Sequence, residues 1–331
     1  MKFRSIQLSV AALAGACLFV AVGAMTLYAL LAFERNQTLV AERAEQLLER
    51  HVRERLEAVA SSEMLRIRQQ LEQPLVVNEQ LALLNRQAAD VRDGLPQLMV
   101  SRDEMLRYVR QVLEERTDLL AAYVAWEPGA FDGLDSFYAN TGLPGHSEEG
   151  QFIPYWYREA DGSIALDLLS ELNDETLLDT GIRAGEYYLC PRETGRACVV
   201  DPAPYQLGDK QVMLASFSAP ILLNGEFLGI VGSDLSVDFL QSMLERSNDN
   251  LFDGQGEQAL ISGNGRLVAW TGEGAAAGES AAGILDSVDQ ANLRQLKEEP
   301  IYEVDRANNL IELWMPVPLG NSAARWALLF R

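Results

Sequence analysis

The sequence predicts an α+β protein: an N-terminal transmembrane helix and a long stalk helix, followed by two modules built on antiparallel sheets. Three observations predict it. An uncharged apolar run opens the chain; a charged segment without Gly or Pro follows, with apolar residues at helical spacing. Beyond that, short runs rich in Val, Ile, Leu and aromatics alternate with Gly, Pro and Asn turns. A chain of 331 residues, 48% of them hydrophobic, is large enough for two compact modules with extensions. Its net charge of −21 excludes a nucleic-acid partner, because nothing offsets phosphate charge, and it favours cationic over anionic ligands.

From Ser5 to Phe33 no residue is charged. The run exceeds the roughly 20 apolar residues that cross a bilayer and the roughly 7–15 of a signal-peptide core. It therefore reads as a retained anchor over residues 1–33. Lys2 and Arg4 precede it, which by the positive-inside rule leaves residues 34–331 outside the cytoplasm, periplasmic to an inner membrane. Residues 34–78 form the stalk, with Leu39, Leu47, Leu48, Val52, Leu56 and Val59 on one stripe and charges elsewhere. Such a stripe packs along a module or pairs with a second copy, so a homodimer is expected.

The first module is expected over 79–250. "SRDEMLRYVRQVLEERTDL" starts with Ser101 and, three residues on, Glu104, the capping-box pattern, and leads into the strand "LAAYVAWEP". The segment from Tyr123 to Arg158 is rich in turn residues, aromatics and acids and reads as neither helix nor strand. "VMLASFSAPILL" and "EFLGIVGSDL" flank Asn224-Gly225, a strong hairpin signal, and "VDFLQSMLERS" is helical. The second module, over 251–331, offers strand, "GNG" turn and strand in "EQALISGNGRLVAW", a short helix in "SVDQANLRQLKE", and three further strands. It echoes the first, as a duplicated module would. No second apolar span or output region follows Arg331, so the chain reads as a fragment of a longer receptor or a truncated product.

Cys190 and Cys198 flank a Pro and a Thr-Gly turn and read as a hairpin closed by a disulfide, at home in an oxidising compartment. Cys17 lies in the apolar run as a small apolar residue. Chemistry on a substrate is not expected. There is no nucleophile elbow, P-loop or dinucleotide fingerprint, and "DGLD" lacks the spaced oxygens of a calcium loop. No cofactor or metal is implied. The remaining enzyme reading, a carboxylate pair among Glu127, Asp132 and Asp135 for hydrolysis, has nothing to fix its spacing. Binding fits better. Trp126, Tyr155, Trp156 and Tyr205 offer aromatic faces, and Glu127, Asp132 and Asp234 offer carboxylates. Aromatic faces around a carboxylate suit a small organic cation, at roughly 0.5–2 kcal/mol per ring.

The order of segments resembles the extracytoplasmic double-Cache (dCache) region of bacterial methyl-accepting chemotaxis receptors, with its PAS-like modules, from about Glu34 to Arg331. "GEFLGIVGSDLS" is similar to the family's Gly-Val-x-Gly-x-Asp strand, and "WEPGAFDG" and "GQFIPYW" resemble the amine-sensing branch. In amino-acid-sensing relatives an Arg-x-Trp-Tyr motif holds the ligand carboxylate. Here Ile153-Pro154-Tyr155-Trp156 stands at that place, so the Arg is missing while the aromatics remain. Tyr205 matches the family's Pro-Tyr and Asp234 its ammonium-binding Asp; a second Asp is Leu207 here, and Gly129 replaces an expected polar residue. The resemblance implies a sensor binding a polyamine, histamine-like or quaternary amine. Asp234 would hold the ammonium, and Asp132 or Glu127 a second positive centre. The alternatives are the same sensor on a histidine kinase or diguanylate cyclase, or an amino-acid site using Arg158 or Arg183.

Overall fold

The computed structural model describes residues 3–92, 95–252, 254–305, 310–322 and 324–331. Lys2, one of the two cations expected to flank the anchor, lies outside them. The chain separates into two units, Met1–Ala58 and Val59–Arg331. The first consists of α1 up to Ala58; α1 as a whole spans Phe3–Ala89. Within it Leu13–Phe33 is long and apolar enough to cross a membrane, by length and composition.

In the second unit α1 does not stop at 78. It continues through Pro74 to Ala89, because its buried stripe of Ile67, Leu71, Leu75, Leu81 and Ala88 keeps packing on the sheet behind it. Two short strands, β1 (Val91–Arg92) and β2 (Leu95–Pro96), pair with each other. They lead to α2 (Arg102–Glu115), whose capping box forms as expected: Ser101 accepts from the Glu104 N–H and Glu104 reaches back.

A six-stranded antiparallel sheet follows, from β3 (Ala121–Trp126), β4 (Pro154–Arg158), β5 (Ile164–Leu168), β6 (Cys198–Leu207), β7 (Lys210–Leu223) and β8 (Glu226–Ser236), in the order β5-β4-β3-β8-β7-β6. The short α3 (Asp135–Tyr138) lies between β3 and β4, and α4 (Glu186–Thr194) precedes β6. The β7–β8 hairpin turns at Asn224 and Gly225, with φ of 52° and 86°, the left-handed pair that Asn-Gly favours. The helix α5 (Val237–Phe252) leads to the second sheet: β9 (Gln258–Ile261), β10 (Leu267–Trp270), β11 (Ile301–Asp305), β12 (Leu310–Pro318) and β13 (Arg325–Phe330), ordered β10-β9-β13-β12-β11. A 3-10 turn at Ala281–Gly283 and α6 (Ser287–Gln295) cover its outer face. The α+β class with two antiparallel-sheet modules therefore holds.

Two expectations are corrected here. "PYWYR" is strand β4 and not loop, because its alternating side chains pack on both faces of the sheet. Cys190 and Cys198 do not close a hairpin. The disulfide joins the last turns of α4 to the start of β6, with Cα atoms 6.2 Å apart, and Gly195 at φ 64° ends the helix.

Candidate ligand site

Strand geometry decides what reaches the site. In β3, Ala121, Tyr123 and Ala125 face one side of the sheet, and Ala122, Val124 and Trp126 face α1 and α2 on the other. Tyr123 lies opposite Tyr155 of β4 and Gly232 of β8. A Cβ at Gly232 would sit 2.2 Å from the Tyr123 ring, so only glycine admits that ring. Asp234 of β8 faces the same side, paired in register with Ser216 of β7. From above, α4 contributes Tyr187 and β6 contributes Tyr205.

These residues line a cavity of about 190 Å³. Its rings form a continuous wall: Tyr123 to Tyr155 at 5.5 Å, Tyr123 to Tyr187 edge-on at 5.9 Å, and Tyr187 to Tyr205 edge-on at 6.1 Å. Asp167 and Glu171 stand at the rim. The Tyr187 hydroxyl donates to the Ser170 carbonyl, tying α4 to the rim segment. Glu171 holds a left-handed φ of 61°, and Gly185 approaches its carbonyl so closely that a Cβ would lie 2.4 Å away.

Asp234 is 2% exposed. Its Oδ2 accepts from the Tyr155 hydroxyl at 2.7 Å, and the Ser216 and Tyr123 hydroxyls also lie against the carboxylate, whereas the Tyr205 hydroxyl has no protein partner. Burial pushes Asp234 up to about 6, against the hydroxyl groups that favour its ionised form. Burial also raises Tyr123, Tyr155 and Tyr187 well above the usual phenol range, with the Asp234 charge adding to it, so all three are neutral donors at neutral pH.

Among the described residues four carboxylates are buried: Glu63, Asp234, Asp289 and Glu312. Glu63 has Arg66 at 3.7 Å, and Asp289 and Glu312 share Arg331. Among the described residues Asp234 has no cationic partner, and no Arg, Lys or His lines its cavity. The two arginines considered for a carboxylate ligand are engaged elsewhere. Arg158 donates to the Leu113 carbonyl, and Arg183 pairs with Glu186 and Glu193.

Of the seven residues expected at the site, Tyr155, Tyr205 and Asp234 meet in the cavity; the other four do not line it. Trp126 is in the core on the opposite face, edge-on to Phe131 at 5.0 Å. Trp156 points to that face too, donating to the Leu106 carbonyl with Arg110 over its ring. Glu127 accepts from Tyr188. Asp132 is not short of a countercharge: the buried Arg102 donates to both its oxygens, at 3.0 and 2.5 Å, and to Asp135. Burial raises Asp132, and Arg102 with the Leu134 N–H more than reverses this, leaving it below the usual range. The sequence reading missed Tyr123, Tyr187 and Ser216. Tyr123 was visible as the residue three before Trp126 in the same strand, but its facing depends on pairing with β4 and β8.

A larger cleft, about 1170 Å³, opens between the two sheets beside the disulfide; Trp326 is its one aromatic lining residue among those described. It lacks an aromatic enclosure, and its acid, the half-buried Asp201, is already held by the Trp326 indole N–H and the Asn264 backbone N–H.

The fold is similar to that of solved extracellular and periplasmic sensor domains. It matches a methyl-accepting chemotaxis protein X with a TM-score of 0.64 at 20% identity, over 86% of this chain and 98% of that one. It matches the extracellular domain of a histidine kinase, mmHK1S-Z2, at 0.63 and 20% identity, over 83% and 95%. The periplasmic sensory domain of the Campylobacter jejuni chemoreceptor Tlp1 matches at 0.57 and 10% identity, over 82% and 90%. In sequence, the chain is 27% identical over 335 residues to the methyl-accepting chemotaxis protein TlpQ of Pseudomonas aeruginosa, covering 99% of this chain. It spans 46% of that relative's length. No family model matches the chain.

Proposed function

We propose that this chain is the sensor portion of a transmembrane chemoreceptor that binds a small organic amine in the tyrosine-lined cavity over Asp234. The observation that supports the reading is the contrast among buried acids: Asp234 is the one without a guanidinium, in a cavity with no cation of its own. A buried carboxylate without a partner is costly, and a ligand ammonium removes that cost while its methylenes lie against the tyrosine faces. A ligand carboxylate would meet Asp234 and no fork to receive it. Asp167 and Glu171 at the rim replace Asp132 and Glu127 as the acids available to a second positive centre.

In this reading Leu13–Phe33 anchors the chain in the inner membrane with the sheets in the periplasm. Exposed Leu47, Leu48, Val52, Val59 and Leu65 on α1 support pairing with a second copy. The chain binds and does not catalyse. A histidine kinase output is the second reading, favoured by the nearly equal structural match to a histidine kinase domain.

The test is calorimetry on the full chain in nanodiscs, titrating putrescine, spermidine, histamine and choline beside L-amino acids and organic acids. Saturable amine binding that is lost in Asp234→Asn is expected. Binding of amino acids or organic acids instead overturns the ligand class.

A further inference from the structure

The buried stripe of α1 carries three polar residues, Glu63 near its start and Asn78 and Asn85 further on, the two asparagines fully buried. Asn85 serves its own helix, donating to the Leu81 carbonyl. Asn78 does not. Its Nδ2 donates to the Phe217 carbonyl at 2.7 Å and to Ser233 Oγ at 3.0 Å, across 139 and 155 positions of sequence. Phe217 and Ser233 are directly opposed on β7 and β8. The next opposed pair along the same ladder is Ser216 and Asp234, which faces the cavity on the other side of the sheet. One amide on α1 therefore grips the back of the strand pair that carries the buried acid.

Two features at this point make the contact sensitive. Pro74 lies one turn before Asn78, in the last quarter of α1. It removes a helical N–H, and its ring crowds the preceding turn, so the helix is most easily bent there. Asn78 Oδ1 is buried without a partner, so the amide is not fully satisfied here and a second arrangement loses little. Whether Asn78 can hold both Ser233 Oγ and the Phe217 carbonyl depends on how β8 lies against β7.

We infer that Asn78 is the positioning residue that couples occupancy of the Asp234 cavity to the α1 turn at Pro74. The inference rests on the proposed site and adds the route by which it reaches the helix. It differs from a purely structural buried amide, which would set register and stability without responding to ligand.

The test uses the whole 331-residue chain in nanodiscs, with putrescine as probe and hydrogen exchange over residues 71–85 as the readout. Calorimetry on the same samples measures binding separately. In the wild-type chain, saturating putrescine is expected to change exchange in that segment by about threefold or more; Asn78→Leu should bind within about threefold of wild type and lose the change. An undiminished response in Asn78→Leu, or a wild-type response confined to β7 and β8, overturns the inference. Ser233→Ala removes one acceptor and is the second variant if Asn78→Leu does not fold; a reduced response supports the coupling and a full response overturns it. If calorimetry finds no amine binding, the ligand reading fails and the coupling is read with Asp234→Asn as the perturbation. That change should alter exchange at 71–85 with Asn78 present and not with Leu there, and equal effects in both overturn the inference.

Discussion

The two sheets are built alike, yet the cavity on the first holds a buried acid without a countercharge, whereas the hollow on the second holds Asp289 and Glu312 together with Arg331. Each turns one face to the shared core and the other to a covering segment: α4 and the 169–185 stretch over the first sheet, the 3-10 turn and α6 over the second. Under the first cover the side chains are tyrosines, whose hydroxyls need partners and whose rings stand around Asp234. Under the second they are Trp270, Trp314, Leu285 and Leu329, an apolar cluster with no tyrosine among its buried residues. The buried acids differ in the same way. Asp289 and Glu312 of the second sheet's module pair with Arg331, whereas Asp234 has no such cation. In the proposed reading, the site forms where internal neutralisation is withheld.

The comparison is broken most severely by removing the internal cation. Arg331→Met should destabilise the fold by about 3–5 kcal/mol, because it strands two buried carboxylates. A thermal or urea midpoint unchanged from wild type would show that Arg331 does not neutralise them. Next in size, Asp234→Asn should weaken putrescine binding by about a hundredfold or more, in line with losing one partner of a buried charge pair. The same substitution should leave the thermal midpoint equal or higher, since the charge it removes has no internal partner. A drop of several degrees would mean Asp234 is a structural acid after all.

The pH response sharpens the contrast further. Asp234, raised by burial to about 6, must be ionised to hold an ammonium. Putrescine should therefore bind about tenfold more weakly at pH 5 than at pH 7.5. Stability without amine runs the other way. Burial, and then Asp289, raise Glu312 to about 7, so both acids hold a proton in the fold that the unfolded chain has released. Their contribution is full below the unfolded carboxylate range and is lost as pH rises through about 6 and about 7. Thermal melts across that window should fall with rising pH, and Asp234→Asn should flatten the lower part. The smallest effect belongs to a single wall. Tyr187→Leu should cost about 0.5–2 kcal/mol of amine affinity, as one cation–π face is worth. Trp126→Leu should leave affinity unaltered while lowering stability, and calorimetry with melting curves on both variants separates the two tryptophan and tyrosine roles.

Much of this was legible in the amino acids. The Ser101–Glu104 box, the Asn224-Gly225 hairpin, the long amphipathic α1 and the placement of Asp234, Tyr155 and Tyr205 all rest on residues near one another in the chain or on the quoted strand motif. The helix runs on past 78 to Ala89 because its buried stripe keeps packing through tertiary contacts that no local signal shows. Trp126 and Trp156 were read as walls because aromatic content does not reveal which face of a strand is wet. Glu127 and Asp132 looked unpaired because their partners, Tyr188 and Arg102, come from other elements.

By itself, the sequence determined the anchor run, the α+β class with its two strand-rich halves, and an acid with aromatics but no arginine at the motif position. Each of those is a signal of composition, of period, or of residues a few positions apart, where backbone sterics and side-chain chemistry act locally. Only the tertiary structure decided that Tyr123, Tyr187 and Ser216 join Asp234, that Arg102 claims Asp132, and that Asn78 grips β7 and β8 from behind. These outcomes depend on which strands pair and which faces are covered. A strand shows its two faces in strict alternation, and partners distant in sequence decide which of them becomes the site.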